Sequence, residues 1–148
     1  IRIHSRMPGV IPHRITGALI ERLATSSLQT VWVIHANHPQ EIDAEVLTAL
    51  TKMARGGSML LNQTVLLRAI NDDPDTLARL SEQLFAGGVL PYYIHQLDPI
   101  SGAAHFAVDD TQAQAIVTDL TSRLPGYLVP RLAREEPGAA AKTLLGAG

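Results

Sequence analysis

With 148 residues, 46% of them hydrophobic and 18% charged, the chain fits one domain with a buried core and is not a disordered segment. A formal charge of −2 gives no electrostatic ground for nucleic acid or an anionic membrane as partner, and with no cysteine the chain offers no disulfide and no thiolate ligand. No apolar run nears the roughly 20 residues of a membrane span and no signal-peptide pattern opens the sequence, so it reads as soluble and cytoplasmic.

The chain alternates strand and helix signals. "IRIHSR" opens inside a strand, residues 1–4, with no starting Met, which is the expectation for a piece of a longer protein. "PHRITGALIERLATS" predicts a helix with Pro12 near its start and Ile15, Leu19 and Leu23 on one face. "TVWVIH" is β-branched and apolar, as a strand covered on both faces should be. In "NHPQEIDAEVLTALTKMARGG", Ile42, Val46, Leu50 and Met53 form a helical stripe, with Pro39 in the first turn and Gly56 at the stop.

"SMLLNQ" is a third buried strand. "NDDPDTLARLSEQLFAGG" predicts a helix with Asp73 as N-cap, Pro74 at its first position and Leu77, Leu80 and Leu84 facing the core. "VLPYYIHQLD" is a fourth strand in which Pro91 argues for a bulge. Asp109 or Asp110 caps a last long helix with Ile116, Val117 and Leu120 inward, and "GYLVP" suggests a further short strand. The last eighteen residues, 131–148, carry no clear period. Regular alternation implies parallel strands with right-handed helical crossovers, in a doubly wound sheet or a (β/α) barrel, and these units are too few for a whole barrel.

Polar residues gather where the strands end: His4, Ser5 and Arg6; His35, Asn37 and His38; Asn62 and Gln63; His95, Gln96 and Asp98. Ligands of parallel sheets bind at the carboxyl ends of strands, so four such groups in succession favour one binding mouth. The H-x-x-H of His35 and His38 has metal-ligand spacing but no third ligand, and His38 before Pro39 suits the opening of a helix better. His95 reads equally as a satisfied, half-buried histidine. Asp98 suits a turn cap or a buried carboxylate awaiting a cation, and Glu135 and Glu136 suit plain surface charge. The chain owns two lysines, Lys52 and Lys142. Lys142, behind Gly138 and three alanines, belongs either to a frayed tail or to a small-residue segment that lets a lysine reach a cofactor closely. No G-x-G-x-x-G, P-loop or nucleophile elbow is present.

"RIHSRMPGVIPHRIT", "HANHPQEI", "LLNQTVLLRAINDD", "PYYIHQLDPISGAAHF" and "GYLVPRLARE" together resemble the lysine 2,3-aminomutase family of radical S-adenosylmethionine enzymes, block after block in the family's order. "SGAAHF" and "GYLVPRLARE" are most similar to the branch that supplies (R)-β-lysine for modification of elongation factor P. The resemblance implies the C-terminal part of a partial (β/α) TIM-like barrel over residues 1–130 and a C-terminal segment, residues 131–148, that carries a cofactor lysine. It implies radical 1,2-migration of the amino group of lysine, with lysine as substrate and elongation factor P as the functional link. Oligomeric state is left open, a homo-oligomer included.

By the same resemblance, Lys142 matches the lysine that holds pyridoxal phosphate, Asp98 and Glu135 match the acidic pair that holds the substrate's side-chain ammonium, and His35 and Gln63 match positions near S-adenosylmethionine. These assignments suit the chemistry. A Schiff base needs a neutral, partly desolvated amine, and a buried ammonium needs close carboxylates. Two departures stand out. The family's 4Fe–4S cluster needs three closely spaced cysteines, which this chain lacks, so cluster ligands are expected upstream. The glycine run before the cofactor lysine is here Gly138 followed by Ala139, Ala140 and Ala141, and alanine narrows the allowed backbone angles. The missing cysteines also motivate a different class of function, a non-catalytic truncated paralogue or binding module of the same fold. A sugar- or phosphate-binding (β/α) protein of unrelated chemistry is a further alternative by fold analogy.

Overall fold

The computed structural model of the chain describes residues 1–98, 102–136 and 138–146. Part of the "PYYIHQLDPISGAAHF" block (99–101) and Pro137 lie outside these residues. Six strands form one sheet in the order β1-β2-β3-β4-β5-β6: β1 Arg2–Ser5, β2 Val31–Ile34, β3 Met59–Val65, β4 Val89–His95, β5 Arg131–Arg134 and β6 Thr143–Leu144. The first five pair in parallel, and β6 returns antiparallel to β5. The connections carry α1 Met7–Val10, α2 Gly17–Ala24, α3 Ala44–Arg55, α4 Pro74–Ala86 and α5 Asp110–Arg123.

Sequential order decides between the two architectures left open by the sequence. A doubly wound sheet reverses direction once and covers both faces with helices. Here the order never reverses, so right-handed crossovers put the helices on one side, as in a segment of a barrel. The core follows that side. Trp32, Ile34, Leu60 and Val89 pack against Val46, Leu50 and Met53 of α3 and Leu80 and Leu84 of α4. A second cluster joins Ile94 and Leu132 to Leu77 of α4 and to Ala113, Ile116 and Leu120 of α5.

Helix α4 is as expected, with Asp73 Oδ1 accepting from Thr76 N at 2.8 Å and Pro74 opening the helix. Asp109 caps α5 in the same way, through Gln112 N at 2.9 Å. The two other helix starts lie later than their prolines suggest. Pro12 and Pro39 each open a short 3-10 turn, Pro12–Arg14 and Pro39–Glu41. The α-helices begin only after the true caps, Thr16 and Asp43, whose oxygens accept from Leu19 N and Val46 N. Ile15 and Ile42 therefore sit outside the helices, yet both are buried in the core.

Three strand assignments also change. β3 runs two residues past Gln63, so Asn62 and Gln63 lie within the strand rather than beyond it. "GYLVP" forms a 3-10 turn, Gly126–Leu128, and the strand it was expected to make follows at Arg131–Arg134. The stretch without a period thus contains β5 and β6, whose four and two residues are too short to show alternation. The bulge expected from Pro91 is present. Asn62 pairs with Pro91 but Gln63 pairs with Tyr93, so Tyr92 is the extra residue of β4.

A buried amide network ties the strand ends together. Asn62 Oδ1 accepts from Ala36 N at 2.9 Å, and its Nδ2 donates to Ala36 O and to Thr64 Oγ1. Asn71, with no exposed surface, accepts from Leu67 N at 2.7 Å and donates to the carbonyls of Asn37 and Val65. These bonds anchor the loop after β2 to β3 and to the loop that follows β3. Asn71→Ala leaves those three buried backbone groups without partners and should destabilise the protein by at least about 3 kcal/mol, given roughly 1–3 kcal/mol for each unmet group. Urea denaturation checks this, and a variant within about 0.5 kcal/mol of wild type contradicts the anchoring role.

Candidate active site

With its helices on one side, the sheet turns its other face inward. Register places Arg2, His4, Val33, Gln63, Tyr93 and His95 on that face, since paired residues of parallel strands share a side. His35 follows β2 by one residue, His95 ends β4, and Asp98 lies three residues further on. Glu135 follows β5 by one residue and Lys142 precedes β6 by one.

The last two positions have a simple geometric cause. In the β5–β6 hairpin, Ala133 pairs with Leu144 and Arg134 with Thr143, so the next step of the register sets Glu135 opposite Lys142. Their side chains form an ion pair, with Lys142 29% exposed and Glu135 57%. The hairpin loop needs one left-handed residue among those described, and Gly138 fills it at φ 83°. None of Ala139, Ala140 and Ala141 has positive φ, so the alanines cost the loop no strain. The β5 end is also pinned from outside: Arg134 pairs with Asp110 in the first turn of α5, and Gln96 Nε2 donates to the same carboxylate at 3.0 Å.

Two adjoining cavities open on the inward face. The larger, about 650 Å³, is lined by Arg2, His4, Gln63, Tyr93, Glu135 and Lys142, with the three alanines along one wall. The smaller, about 250 Å³, is lined by His35, Gln63, His95, Asp98 and Glu135. Gln63 and Glu135 border both. All five residues singled out in the sequence, His35, Gln63, Asp98, Glu135 and Lys142, therefore surround one composite space. Sequence reasoning passed over Arg2 and Tyr93. The strand alternation of "RIHS" could have shown Arg2, and the Pro91 bulge could have shown Tyr93. His38, by contrast, opens the 3-10 turn, its Nδ1 accepting from Gln40 N at 3.2 Å. Arg68 is exposed.

The electrostatics of this space favour neutral imidazoles and a charged carboxylate. Gln63 Nε2 lies 3.2 Å from His95 Nε2. An amide nitrogen only donates, so His95 accepts there and keeps its proton on Nδ1. Burial, and then the charge of Lys142, hold His95 below its ordinary pKa. Burial also lowers His35, assisted by His4, whose ring meets it edge-on at 5.7 Å, and by Arg6 and Lys142. Glu135 is held below the usual carboxylate range chiefly by its hydrogen bond to Lys142 and by that residue's charge.

The fold defines the class first. A crystal structure of a radical SAM methyltransferase from Sphaerobacter thermophilus superposes with a TM-score of 0.67 at 15% identity, covering 92% of this chain and 40% of that one. At that identity the likeness concerns the fold, a partial (β/α) barrel. No profile of a known protein family matches the chain. Sequence relatives go further. The chain is 53% identical over 98% of its length to the L-lysine 2,3-aminomutase of Escherichia coli (strain K12) and 50% identical over 97% to that of Haemophilus influenzae. It is 38% identical over 97% to the enzyme of Clostridium subterminale. The resemblance read from the sequence is borne out: the chain is homologous to part of the L-lysine 2,3-aminomutases, spanning 42%, 43% and 34% of these three proteins.

The lowered histidines fix a pH dependence. Their neutral forms are favoured in the folded state, whereas in the unfolded chain they take up protons near pH 6.5. Their contribution is therefore present above that value and is lost as pH falls through it toward the folded-state pKa. Urea midpoints should drop between about pH 7 and about pH 5, and His95→Gln, which keeps a neutral hydrogen-bonding side chain, should flatten the drop. An unchanged slope in the variant contradicts the assignment.

Proposed function

We propose that the chain is the C-terminal, pyridoxal- and substrate-binding part of an isomerase that interconverts L-lysine and β-lysine. The observation that supports it is the convergence of Lys142, Glu135, Asp98, Gln63 and His35 on adjoining cavities at the carboxyl ends of the strands. That convergence is added to homology with L-lysine 2,3-aminomutases along almost the whole chain.

The residues present fit pyridoxal phosphate. Lys142 is the only lysine in the larger cavity, whose volume lies within the roughly 300–1,000 Å³ of small-molecule sites. Arg2 shares that cavity and offers a cation to an anionic group. S-adenosylmethionine has polar partners in Gln63 and His35. An iron–sulfur cluster finds no thiolate in this chain, so its ligands belong to a part of the protein outside these residues. When bound, these groups supply the radical and the nitrogen-carrying π-system of the 1,2-shift.

The chain's own residues hold and orient. Lys142 anchors the carbonyl cofactor through Nζ. Asp98 and Glu135 bind the ammonium at the end of the substrate side chain, and the two carboxylates together measure its length. Gln63, whose amide nitrogen is engaged by His95, keeps its carbonyl oxygen available to accept a hydrogen bond from a bound ligand. Val33, without exposed surface, and the half-buried Leu61 floor the inward face and keep water from it.

Within this reading, the "SGAAHF" and "GYLVPRLARE" blocks assign the product to (R)-β-lysine for elongation factor P. The full-length protein, reconstituted anaerobically with its cofactors, should convert L-lysine to β-lysine. Asp98→Asn should raise KM for lysine about tenfold or more, the scale of losing a charge-assisted hydrogen bond. Absence of β-lysine sinks the proposal, and chiral chromatography that finds the (S) product removes the elongation factor assignment.

A further inference from the structure

The larger cavity already contains a primary alkylammonium. Lys142 Nζ pairs with Glu135 and stands 5.6 Å from the centroid of the Tyr93 ring. A carboxylate on one side and an aromatic face on the other make a cation site in which charge pairing and the ring quadrupole act together. The group held there is chemically identical to the end of a lysine side chain. This arrangement depends on the bulge in β4. Pro91 has no N–H to give the ladder, Tyr92 becomes the extra residue, and the shift sets Tyr93 rather than Tyr92 beside Gln63 on the inward face. Tyr92 lines the same cavity and packs against Tyr93, with ring centroids 4.0 Å apart, which limits the freedom of the Tyr93 ring to turn away.

We propose that Tyr93 and Glu135 form the ammonium cage that selects the substrate's side chain, and that Lys142 fills this cage until its own nitrogen is taken up by the carbonyl cofactor. The inference rests on the reading of Glu135 given under Proposed function and adds to it a specificity-determining residue, Tyr93, and an order of binding. While Lys142 is a free ammonium, it competes with substrate for Glu135. On cofactor loading, Lys142 would give up its ammonium proton to solvent, and its neutral Nζ would condense with the cofactor's carbonyl carbon, the carbonyl oxygen leaving as water. No ammonium then remains on the carboxylate, and the cage opens to a second one. The remaining cation of the cavity, Arg2, carries a planar guanidinium and no ammonium, so it is not a rival of the same kind. The cage thus couples cofactor loading to substrate affinity with no movement of the sheet.

Calorimetric titration of the full-length protein freed of pyridoxal phosphate tests this, with L-lysine as ligand and L-norleucine, which keeps the α-ammonium but lacks the side-chain ammonium, as control. Lys142→Met should tighten L-lysine at least threefold and leave L-norleucine unchanged. In that background Tyr93→Leu should weaken L-lysine about three- to tenfold, the range of a partly desolvated cation–π contact, and Tyr93→Phe should restore it. Glu135→Gln should remove the preference for L-lysine over L-norleucine. If Glu135→Gln removes the preference but Lys142→Met and Tyr93→Leu change nothing, the cage is overturned and the role of Glu135 stands. If Glu135→Gln changes nothing, the assignment of Glu135 fails and the cage fails with it. The L-lysine to L-norleucine ratio in the Lys142→Met protein decides the competition even where Tyr93→Leu folds poorly, since an unaltered ratio there overturns it.

Discussion

Five parallel strands laid side by side in chain order, each joined to the next by a crossover of one hand, impose the constraint on which everything else rests. The helices have no choice of side, so all the apolar stripes of α2 to α5 meet one face of the sheet and two clusters of core residues form there. The opposite face carries none of these helices among the described residues. It is there that side chains of conflicting character, an arginine, histidines, a glutamine, tyrosines and a carboxylate, lie together, some along the strands and some at their carboxyl ends. The polar character of that face costs the core nothing, because the core is elsewhere.

The hairpin that ends the sheet converts this architecture into a chemical site. A parallel strand delivers its functional residue only at its carboxyl end. The antiparallel return after β5 brings a second segment to the same end, with Lys142 facing Glu135 by register. The antiparallel return explains the seven-residue spacing of the two. It also explains why three alanines serve where a glycine run would be expected, since among the described loop residues only Gly138 adopts a left-handed backbone. Held this way, a lysine of limited exposure and a carboxylate of lowered pKa share one cavity wall, which suits a site that must handle both an amine nucleophile and an ammonium ligand.

Much of this was legible in the sequence, and the illegible parts have physical reasons. Helix α4 announces itself completely, because Asp73, Pro74 and a leucine stripe all act locally. The starts of α2 and α3 are obscured because proline opens 3-10 turns as readily as helices, and the caps Thr16 and Asp43 come later. β5 and β6 are too short for periodicity and are set by pairing with β4, a contact distant in sequence. For the site, strand-end polarity pointed to His35, Gln63 and Asp98, whose gathering needs only the parallel topology, and the family resemblance added Glu135 and Lys142, which meet through the antiparallel return of β6. Arg2 shares the alternation of His4 within β1, whereas the side taken by Tyr93 depends on the bulge, which shows only in the pairing of β4 with β3.

The central claim is that the hairpin presents Lys142 as the nitrogen that holds a carbonyl cofactor. Its most direct test is to incubate the full-length protein with pyridoxal phosphate, reduce with borohydride and map the fixed phosphopyridoxyl group by peptide mass spectrometry. The account predicts a stoichiometric label on Lys142. A label on Lys52 or on a lysine outside this segment, with Lys142 unmodified, would contradict it.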